Sequence, residues 1–284
     1  MIGGHDVTRL GIVSDELHSN FAAALRDAQL LGLHDLELRQ LSGGRVPCVD
    51  EAEVRAVEAA VAAGACTIGA ISPGLYKYAR TPQEARRERE RLYPAAATLT
   101  KRLHVPALII FGPAKPRATD LDGTLHSSAD PPRWVDEAIG LVCELAARDG
   151  IRVLLEPEPI SYTDTVAATA AVLQRLDCRQ LGLNYDPGNL AWAEGRDPRD
   201  GIARLGRWIE NVHVKDAPAF LPGRLPAWGV PGEGLIDYVH QFAELRRIDY
   251  RGPITLEPHV NGDIALIATC AEAVRALLAK REVV

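Results

Sequence analysis

The stretch RVLLEPEPISYTDTVAATAAVLQRLDCRQLGLNYD, residues 152–186, holds two short apolar runs with an amphipathic segment between them. Arg152–Glu156 and Leu181–Tyr185 have the aliphatic content of buried strands. Thr165–Leu176 carries apolar residues three and four positions apart, which is typical of a helix that packs on one face. A strand, a helix and a second strand in this order predict a βαβ unit with parallel strands.

The same alternation extends over the whole chain. The other predicted strands are Arg9–Val13, Asp35–Leu38, Cys66–Ile71, Ala107–Phe111, Asn211–Val214 and Ile254–Glu257. The other predicted helices include Asp50–Ala63, Pro82–Leu103, Trp134–Arg148, Leu235–Arg247 and Ala265–Lys280. Eight strands, most of them followed by a helix, predict a (β/α)8 TIM barrel. An open doubly wound sheet is the alternative, and the lack of a glycine-rich first turn argues against it.

Length and composition are those of a globular protein with a full core. The 284 residues suit one barrel domain, 1–284, and 47% of them are hydrophobic and 25% charged. A net charge of −6 argues against nucleic acid or an anionic membrane as partner. The five cysteines include no C-x-x-C pair, and neither a signal peptide nor a membrane span is evident. We therefore expect a cytoplasmic protein, with a homo-oligomer as an open alternative.

Four acidic or imidazole residues stand where successive predicted strands end: Glu156, Asp186, His213 and Glu257. Because the carboxyl ends of barrel strands meet at one mouth, we expect these side chains to share a pocket. Their parity agrees, since the intervening aliphatic residues point to the opposite face of each strand. Three carboxylates and one imidazole suit a divalent cation, with Mn²⁺ favoured and Mg²⁺, Co²⁺ or Zn²⁺ as alternatives. For each residue taken singly, an ion pair or a helix cap is the alternative.

Several short polar segments follow one another along the second half of the chain. They are Leu154-Leu-Glu-Pro-Glu, Asn184-Tyr-Asp-Pro-Gly-Asn, Val212-His-Val-Lys-Asp, Pro231-Gly-Glu-Gly and Leu256-Glu-Pro-His. With Asp35-Leu-Glu-Leu-Arg and Ile71-Ser-Pro-Gly-Leu-Tyr-Lys, they resemble the motifs of the sugar phosphate isomerase/epimerase superfamily, the xylose isomerase-like TIM barrels. The resemblance implies that Glu156, Asp186, His213 and Glu257 bind the metal and that Glu156 and Glu257 also carry protons.

These roles predict a metal-dependent isomerase or epimerase of a sugar or keto-sugar. The cation would stabilise an enediolate while one glutamate removes a proton and the other returns it. A metal-dependent dehydratase or lyase, similar to dehydroshikimate dehydratases or keto-glycoside-cleaving enzymes, is the alternative. A barrel that binds a polyol without converting it is a third hypothesis, against which the complete ligand set argues.

Other polar residues are predicted to contact the substrate. Glu158 and His259 would bind hydroxyl groups or make ordinary rim hydrogen bonds, and Asn189 would contact the substrate as well. Lys215 would either contact the substrate or pair with Asp216. Arg39 and Glu37 would bind the substrate or form a buried pair with each other.

The remaining features concern the rim of the barrel and the question of whether the protein is a nuclease. Ala217–Gly234 and Thr119–Pro132 are irregular and are predicted to be rim loops. Lys77 is predicted to lie at the surface, with attraction of a phosphate or carboxylate as the alternative. Trp192 and Trp228 either stack on a sugar or pack at a subunit interface. The superfamily's type IV AP endonucleases need extra histidines for three zinc ions. Here Asn189 stands where they carry histidine, so a nuclease is not expected.

Overall fold

The structure is a computed structural model that describes residues 9–116, 131–221, 224–260 and 262–280. Eight parallel strands close into a barrel in which the last strand pairs with the first. This confirms the predicted TIM barrel and shows that the open doubly wound sheet is wrong. The strands are β1 (Leu10–Val13), β2 (Asp35–Leu38), β3 (Thr67–Ile71), β4 (Ala107–Phe111), β5 (Arg152–Glu156), β6 (Leu181–Tyr185), β7 (Ile209–Val214) and β8 (Ile254–Leu256).

Helices surround the barrel, and each predicted helix is found with ends that differ by up to three residues. The described part of the chain contains three further helices beyond the predicted set, Phe21–Leu30, Pro187–Glu194 and Gly201–Leu205. Among the helices that the structure describes, none is long and apolar enough to cross a bilayer. The helices are α1 (Phe21–Leu30), α2 (Glu51–Ala62), α3 (Pro82–Arg102), α4 (Arg133–Asp149), α5 (Val166–Leu176), α6 (Pro187–Glu194), α7 (Gly201–Leu205), α8 (Tyr238–Arg247) and α9 (Ile264–Ala279).

The alternation of side chains along β5 shows how the fold orients the site. Val153 and Leu155 belong to the large core between the strands and the helices, whereas Leu154 belongs to a small apolar cluster with Ala107 and Ile109. Residues two apart on a strand share a face. Glu156 therefore projects to the same side as Leu154, into the barrel rather than toward the helices.

The predicted rim loop Ala217–Gly234 is confirmed where the structure describes it, since it contains no helix or strand beyond an isolated bridge from Asp216 to Gly229. The buried Asp216 carboxylate organises this loop by accepting backbone N–H groups of Ala217, Gly232 and Gly234 at 2.9–3.1 Å. The other predicted rim loop, Thr119–Pro132, lies outside the described residues except at its last two positions.

A short antiparallel hairpin that the sequence did not suggest follows β2. It pairs Gln40–Leu41 with Gly44–Arg45. Gly43 and Gly44 turn the chain between the two pieces with φ values of 94° and 147°, which side chains other than glycine rarely adopt. The hairpin places Arg45 at the wall of the cavity described below.

Candidate active site

The four predicted ligands lie together at the carboxyl end of the barrel. One ligand atom from each of Glu156, Asp186, His213 and Glu257 lies within 4.8 Å of the others, and all four residues are buried. His213 Nδ1 is 3.2 Å from Glu257 Oε2 and 3.9 Å from both Glu156 Oε1 and Asp186 Oδ2. The buried cluster is therefore built so that a nitrogen atom faces three carboxylates.

The two ring nitrogens of His213 have different surroundings. Nε2 lies 2.8 Å from Glu37 Oε2, whereas the buried Nδ1 makes no well-aligned hydrogen bond even though Glu257 Oε2 lies 3.2 Å away. An unsatisfied buried nitrogen is costly, so this atom fits a ligand position for a cation. Burial lowers the pKa of His213, but the charges of Glu37, Glu156 and Glu257 outweigh it and hold that pKa well above its usual value. The site favours positive charge, and its donor set could hold a divalent metal ion.

Asp186 caps a helix and also forms an ion pair, while its role as a metal ligand stays a prediction. Its Oδ1 accepts the backbone N–H of Asn189 at 2.9 Å and so caps the N-terminus of α6. Its Oδ2 faces His213 and lies 2.7 Å from Lys215 Nζ. The cap fixes the carboxylate, because a helix N-terminus stabilises negative charge.

The two glutamates are held by different kinds of partner. Glu156 accepts hydrogen bonds from the side-chain amides of Asn184 at 3.0 Å and Asn189 at 3.3 Å. Burial raises its pKa to about 8, against the lowering effect of the His213 charge. Glu257 instead lies 2.5 Å from Arg39 Nη1 and 2.7 Å from Lys215 Nζ. Although burial raises the pKa of Glu257, the Lys215 charge and the nearby histidines lower it well below its usual value.

Lys215 is buried and bridges two of the candidate ligands. Its Nζ lies 2.7 Å from both Asp186 Oδ2 and Glu257 Oε2, and 5.4 Å from the centre of the Trp228 ring. The predicted Lys215–Asp216 pair is wrong, because neighbouring residues on an extended chain point to opposite sides. Asp216 is occupied by the rim loop instead. Lys215 lines the cavity, and its contact with a substrate stays a prediction.

Gly188 leaves the space that the Lys215 side chain fills. A Cβ atom at this position of α6 would lie 2.5 Å from Lys215 Cγ, and Lys215 is fixed by two carboxylates. We expect Gly188→Ala to lower the free energy of unfolding by about 1–3 kcal/mol through overpacking, measured by urea denaturation. Gly140→Ala in α4 is the matched control, because its Cβ would make only an ordinary contact at 3.6 Å. Equal stability of the two variants would contradict this account.

Arg39 and Glu37 do not pair with each other, so that alternative is wrong. Arg39 binds Glu257 and also Asp15 and Glu16, whose oxygens lie 2.9 Å and 2.7 Å from its Nη2. Glu37 accepts a hydrogen bond from Asn211 Nδ2 at 3.2 Å and faces His213. Both residues line the cavity, but Glu37 is placed to orient the imidazole.

This placement of Glu37 leads to a testable prediction. Glu37→Gln removes the negative charge that fixes Nε2 as the donor of His213, so metal affinity should fall by about 10–100-fold. The measurement is calorimetric titration of the chelated protein with Mn²⁺, together with thermal unfolding of the metal-free variant. Glu58→Gln, on α2, is the control and should bind Mn²⁺ as the wild type does. An unchanged affinity in Glu37→Gln would show that this contact does not position the ligand.

A cavity of about 370 Å³ opens above the cluster, and it contains the other residues predicted to contact substrate. Lys77 is not a free surface lysine, because its Nζ lies 2.9 Å from Glu158 Oε2.

His259 and two tryptophans form an aromatic part of the cavity lining. His259 Nδ1 lies 3.1 Å from Glu16, and the His259 ring packs against the Trp228 ring. Trp192 and Trp228 meet edge to face with ring centres 6.1 Å apart. The cavity is also lined by the other residues for which substrate contact was predicted, and that contact stays a prediction: Glu158, Asn189, Lys215 and Glu37.

Sequence reasoning missed Asp15, Glu16 and Arg45. Asp15 and Glu16 lie two and three residues after the end of β1, so the rule that strand ends carry polar site residues would have found them had it been applied there. Glu16 anchors both Arg39 and His259, and its carboxylate also accepts the backbone N–H of His259 at 2.8 Å. Arg45 lies on the unpredicted hairpin, for which periodicity offers no signal.

Comparison with known proteins identifies the family. The family model for xylose isomerase-like TIM barrels matches residues 25–279. The chain therefore belongs to the xylose isomerase-like TIM barrel family, as its motifs suggested.

The chain is similar in sequence to two curated dehydratases. It is 31% identical over 139 residues to 3-dehydroshikimate dehydratase of Bacillus anthracis, which is 44% of this chain and 49% of that protein. It is 32% identical over 124 residues to inosose dehydratase of Geobacillus kaustophilus, which is 37% of this chain and 39% of that protein. The chain thus spans half or less of the length of these curated relatives.

Solved structures resemble the chain over nearly its full length. An L-ribulose 3-epimerase superposes with a TM-score of 0.72 at 17% identity, over 96% of this chain and 95% of that one. The IOLI protein with a bound zinc atom has a TM-score of 0.78 at 14% identity, over 97% of this chain and 100% of that one. At these identities the likeness establishes the shared fold.

Proposed function

We propose that the protein is a metal-dependent dehydratase of a polyhydroxylated ketone. The observation that carries the proposal is the buried cluster in which His213 Nδ1, which makes no well-aligned hydrogen bond, faces three carboxylates beneath a cavity. The two curated relatives described above are dehydratases, which favours loss of water over the isomerase or epimerase activity that the motifs alone suggested.

In this proposal Glu156, Asp186, His213 and Glu257 hold one divalent cation, with Mn²⁺ our first choice. The zinc atom in the IOLI protein makes Zn²⁺ the main alternative. When bound, the cation would stabilise negative charge that develops on the carbonyl oxygen of the ketone. No cysteine is needed, since oxygen donors and one imidazole suit Mn²⁺.

The chain's own groups would move the protons. One of Glu156 and Glu257 removes the proton from the carbon next to the carbonyl group, and the other donates a proton to the departing β-hydroxyl, which leaves as water. Arg39 and Lys215 hold both oxygens of Glu257 in place, while Asn184 and Asn189 hold those of Glu156. Such fixed carboxylates have little freedom to lose when the substrate binds.

The cavity wall would orient the ring of the substrate. Trp192 and Trp228 provide an apolar surface on which the C–H face of a polyhydroxylated ring can pack. Glu158 and His259, which line the same cavity, offer polar atoms for its hydroxyl groups. The buried position of the four candidate ligands keeps bulk water from them, which strengthens their electrostatic effect.

A metal-dependent isomerase or epimerase is the second candidate, and one observation favours it. Glu156 and Glu257 come from β5 and β8, three positions apart around the barrel, with His213 of β7 between them. Carboxylates on two sides of a ligand can remove a proton from one face and return it to another. The same residues then invert a carbon centre, or move the carbonyl group, without loss of water.

Product mass separates the two candidates. The Mn²⁺-loaded protein would be incubated in D₂O with inosose, 3-dehydroshikimate and a 3-keto-glucoside, and the products analysed by mass spectrometry. Dehydration predicts a product lighter than its substrate by one water. Epimerisation or isomerisation predicts no loss of water and incorporation of deuterium at the exchanged carbon. Neither mass loss nor exchange with any of these ketones would contradict both candidates and favour a barrel that only binds polyols.

A further inference from the structure

Four permanently cationic side chains line the cavity, and three of them have carboxylate partners within the chain. Arg39 pairs with Asp15, Glu16 and Glu257. Lys77 pairs with Glu158, and Lys215 pairs with Asp186 and Glu257. The fourth is Arg45.

Arg45 has only neutral hydrogen-bond acceptors in the described parts of the chain. Its Nε donates to the backbone oxygen of Ser72 at 3.1 Å and its Nη2 donates to Ser72 Oγ at 3.1 Å. No carboxylate of a described residue lies within ion-pair distance of it. Among the described residues, the guanidinium therefore forms no ion pair in the cavity, and Glu156 and Asp15 act on it only from beyond ion-pair distance.

The position of this guanidinium is fixed by packing. Gly74, in the segment after β3, has a φ of 75°, and a Cβ atom there would lie 2.8 Å from Arg45 Nε. The bare glycine backbone thus provides the surface on which the side chain rests, and Ser72 sets its orientation. Arg45 is half-buried rather than extended into solvent.

The surroundings of Arg45 disfavour its charge. Burial lowers its pKa and the neighbouring Arg39 charge lowers it further, and together they outweigh the raising effect of the more distant Glu156 and Asp15 carboxylates. Arg39 shows the opposite effect, because its carboxylate partners raise its pKa despite burial. A partly desolvated cation that forms no ion pair gains free energy when an anion binds directly beside it. A planar guanidinium is also matched in shape to the oxygens of a carboxylate or a phosphate.

We propose that Arg45 binds an anionic group, a carboxylate or a phosphate, on the substrate. This inference rests on the proposed function and deepens it, since it assigns a negative charge to the ketone that the site accepts. Arg45 lines the same cavity as Glu156, His213 and Glu257, so one molecule can touch both the guanidinium and the cluster. Neutral sugars would lack the group that this arginine recognises.

Matched pairs of probes that differ in charge test the proposal. The Mn²⁺-loaded protein would be titrated calorimetrically with shikimate and its neutral methyl ester, and with myo-inositol 1-phosphate and neutral myo-inositol. For at least one pair, we expect the anion to bind about 10–100-fold more tightly, as for a charged hydrogen bond. Arg45→Gln should remove that preference and leave the affinity of the neutral member unchanged. Arg45→Lys should restore part of the preference, because lysine restores the positive charge but lacks the two parallel donors of the guanidinium.

Arg55→Gln, at an exposed arginine of α2, is the matched control and should keep the wild-type preference. A preference confined to one pair identifies the group as carboxylate or phosphate, and either result supports the proposal. No preference for anions in the wild type, or a preference that survives in Arg45→Gln, would overturn it. None of the probes is a ketone, so their binding is measured without turnover, and a failed dehydration assay leaves this test intact.

Discussion

Replacing Glu257 with Gln is expected to lower kcat by about 10²–10⁴-fold, the usual contribution of general acid–base catalysis, and Glu156→Gln should have an effect of the same size. The amide keeps the shape and one coordinating oxygen, but it cannot accept a proton. Metal binding should weaken as well. Glu244→Gln, on α8 and outside the cavity, is the matched control and should retain wild-type turnover.

Deuterium exchange distinguishes the roles of the two glutamates. The variant at the residue that removes the proton should neither exchange the substrate's α-hydrogen in D₂O nor form product. The other variant should still exchange this hydrogen while failing to form product. If both variants turn over at the wild-type rate, the base lies elsewhere, and His259 is then the first candidate because it shares the cavity with Glu257.

Chelation with EDTA is expected to abolish turnover while changing the Tm little. The large apolar core between barrel and helices does not involve the candidate ligands, unlike that of a zinc finger, whose fold depends on its metal. Without a cation, Asp186 and Glu257 also keep Lys215 and Arg39 as partners. Thermal unfolding and an activity assay with Mn²⁺ added back measure both effects. Melting of the protein on chelation would indicate a structural ion, and full activity in EDTA would exclude a catalytic metal.

The fold could be predicted because local patterns determine it. Each βαβ unit shows its aliphatic strands and its amphipathic helices within a few tens of residues, as residues 152–186 do. Strand parity also indicated which side chains enter the barrel, and the buried cluster of Glu156, Asp186, His213 and Glu257 agrees with that pattern. Because the strand ends of any such barrel converge at one mouth, the shared pocket could be predicted without knowing the distances between side chains.

The partners of the charged residues could not be predicted in the same way. Arg39 binds Asp15, Glu16 and Glu257, which are 24, 23 and 218 residues away, so its environment depends on how the barrel closes. The predicted pair of Lys215 and Asp216 failed because adjacency in sequence places side chains on opposite sides of an extended segment. Arg45 depends on a glycine turn and on Gly74, neither of which a hydrophobic pattern reveals.

The central claim is that Glu156, Asp186, His213 and Glu257 hold one divalent cation, and an anomalous scattering map of Mn²⁺-loaded crystals tests it most directly. We predict a single strong peak at the manganese edge, about 2.0–2.6 Å from His213 Nδ1 and from one oxygen of each carboxylate. A peak bound by other residues, or no peak with the four side chains directed away from a common centre, would contradict the account.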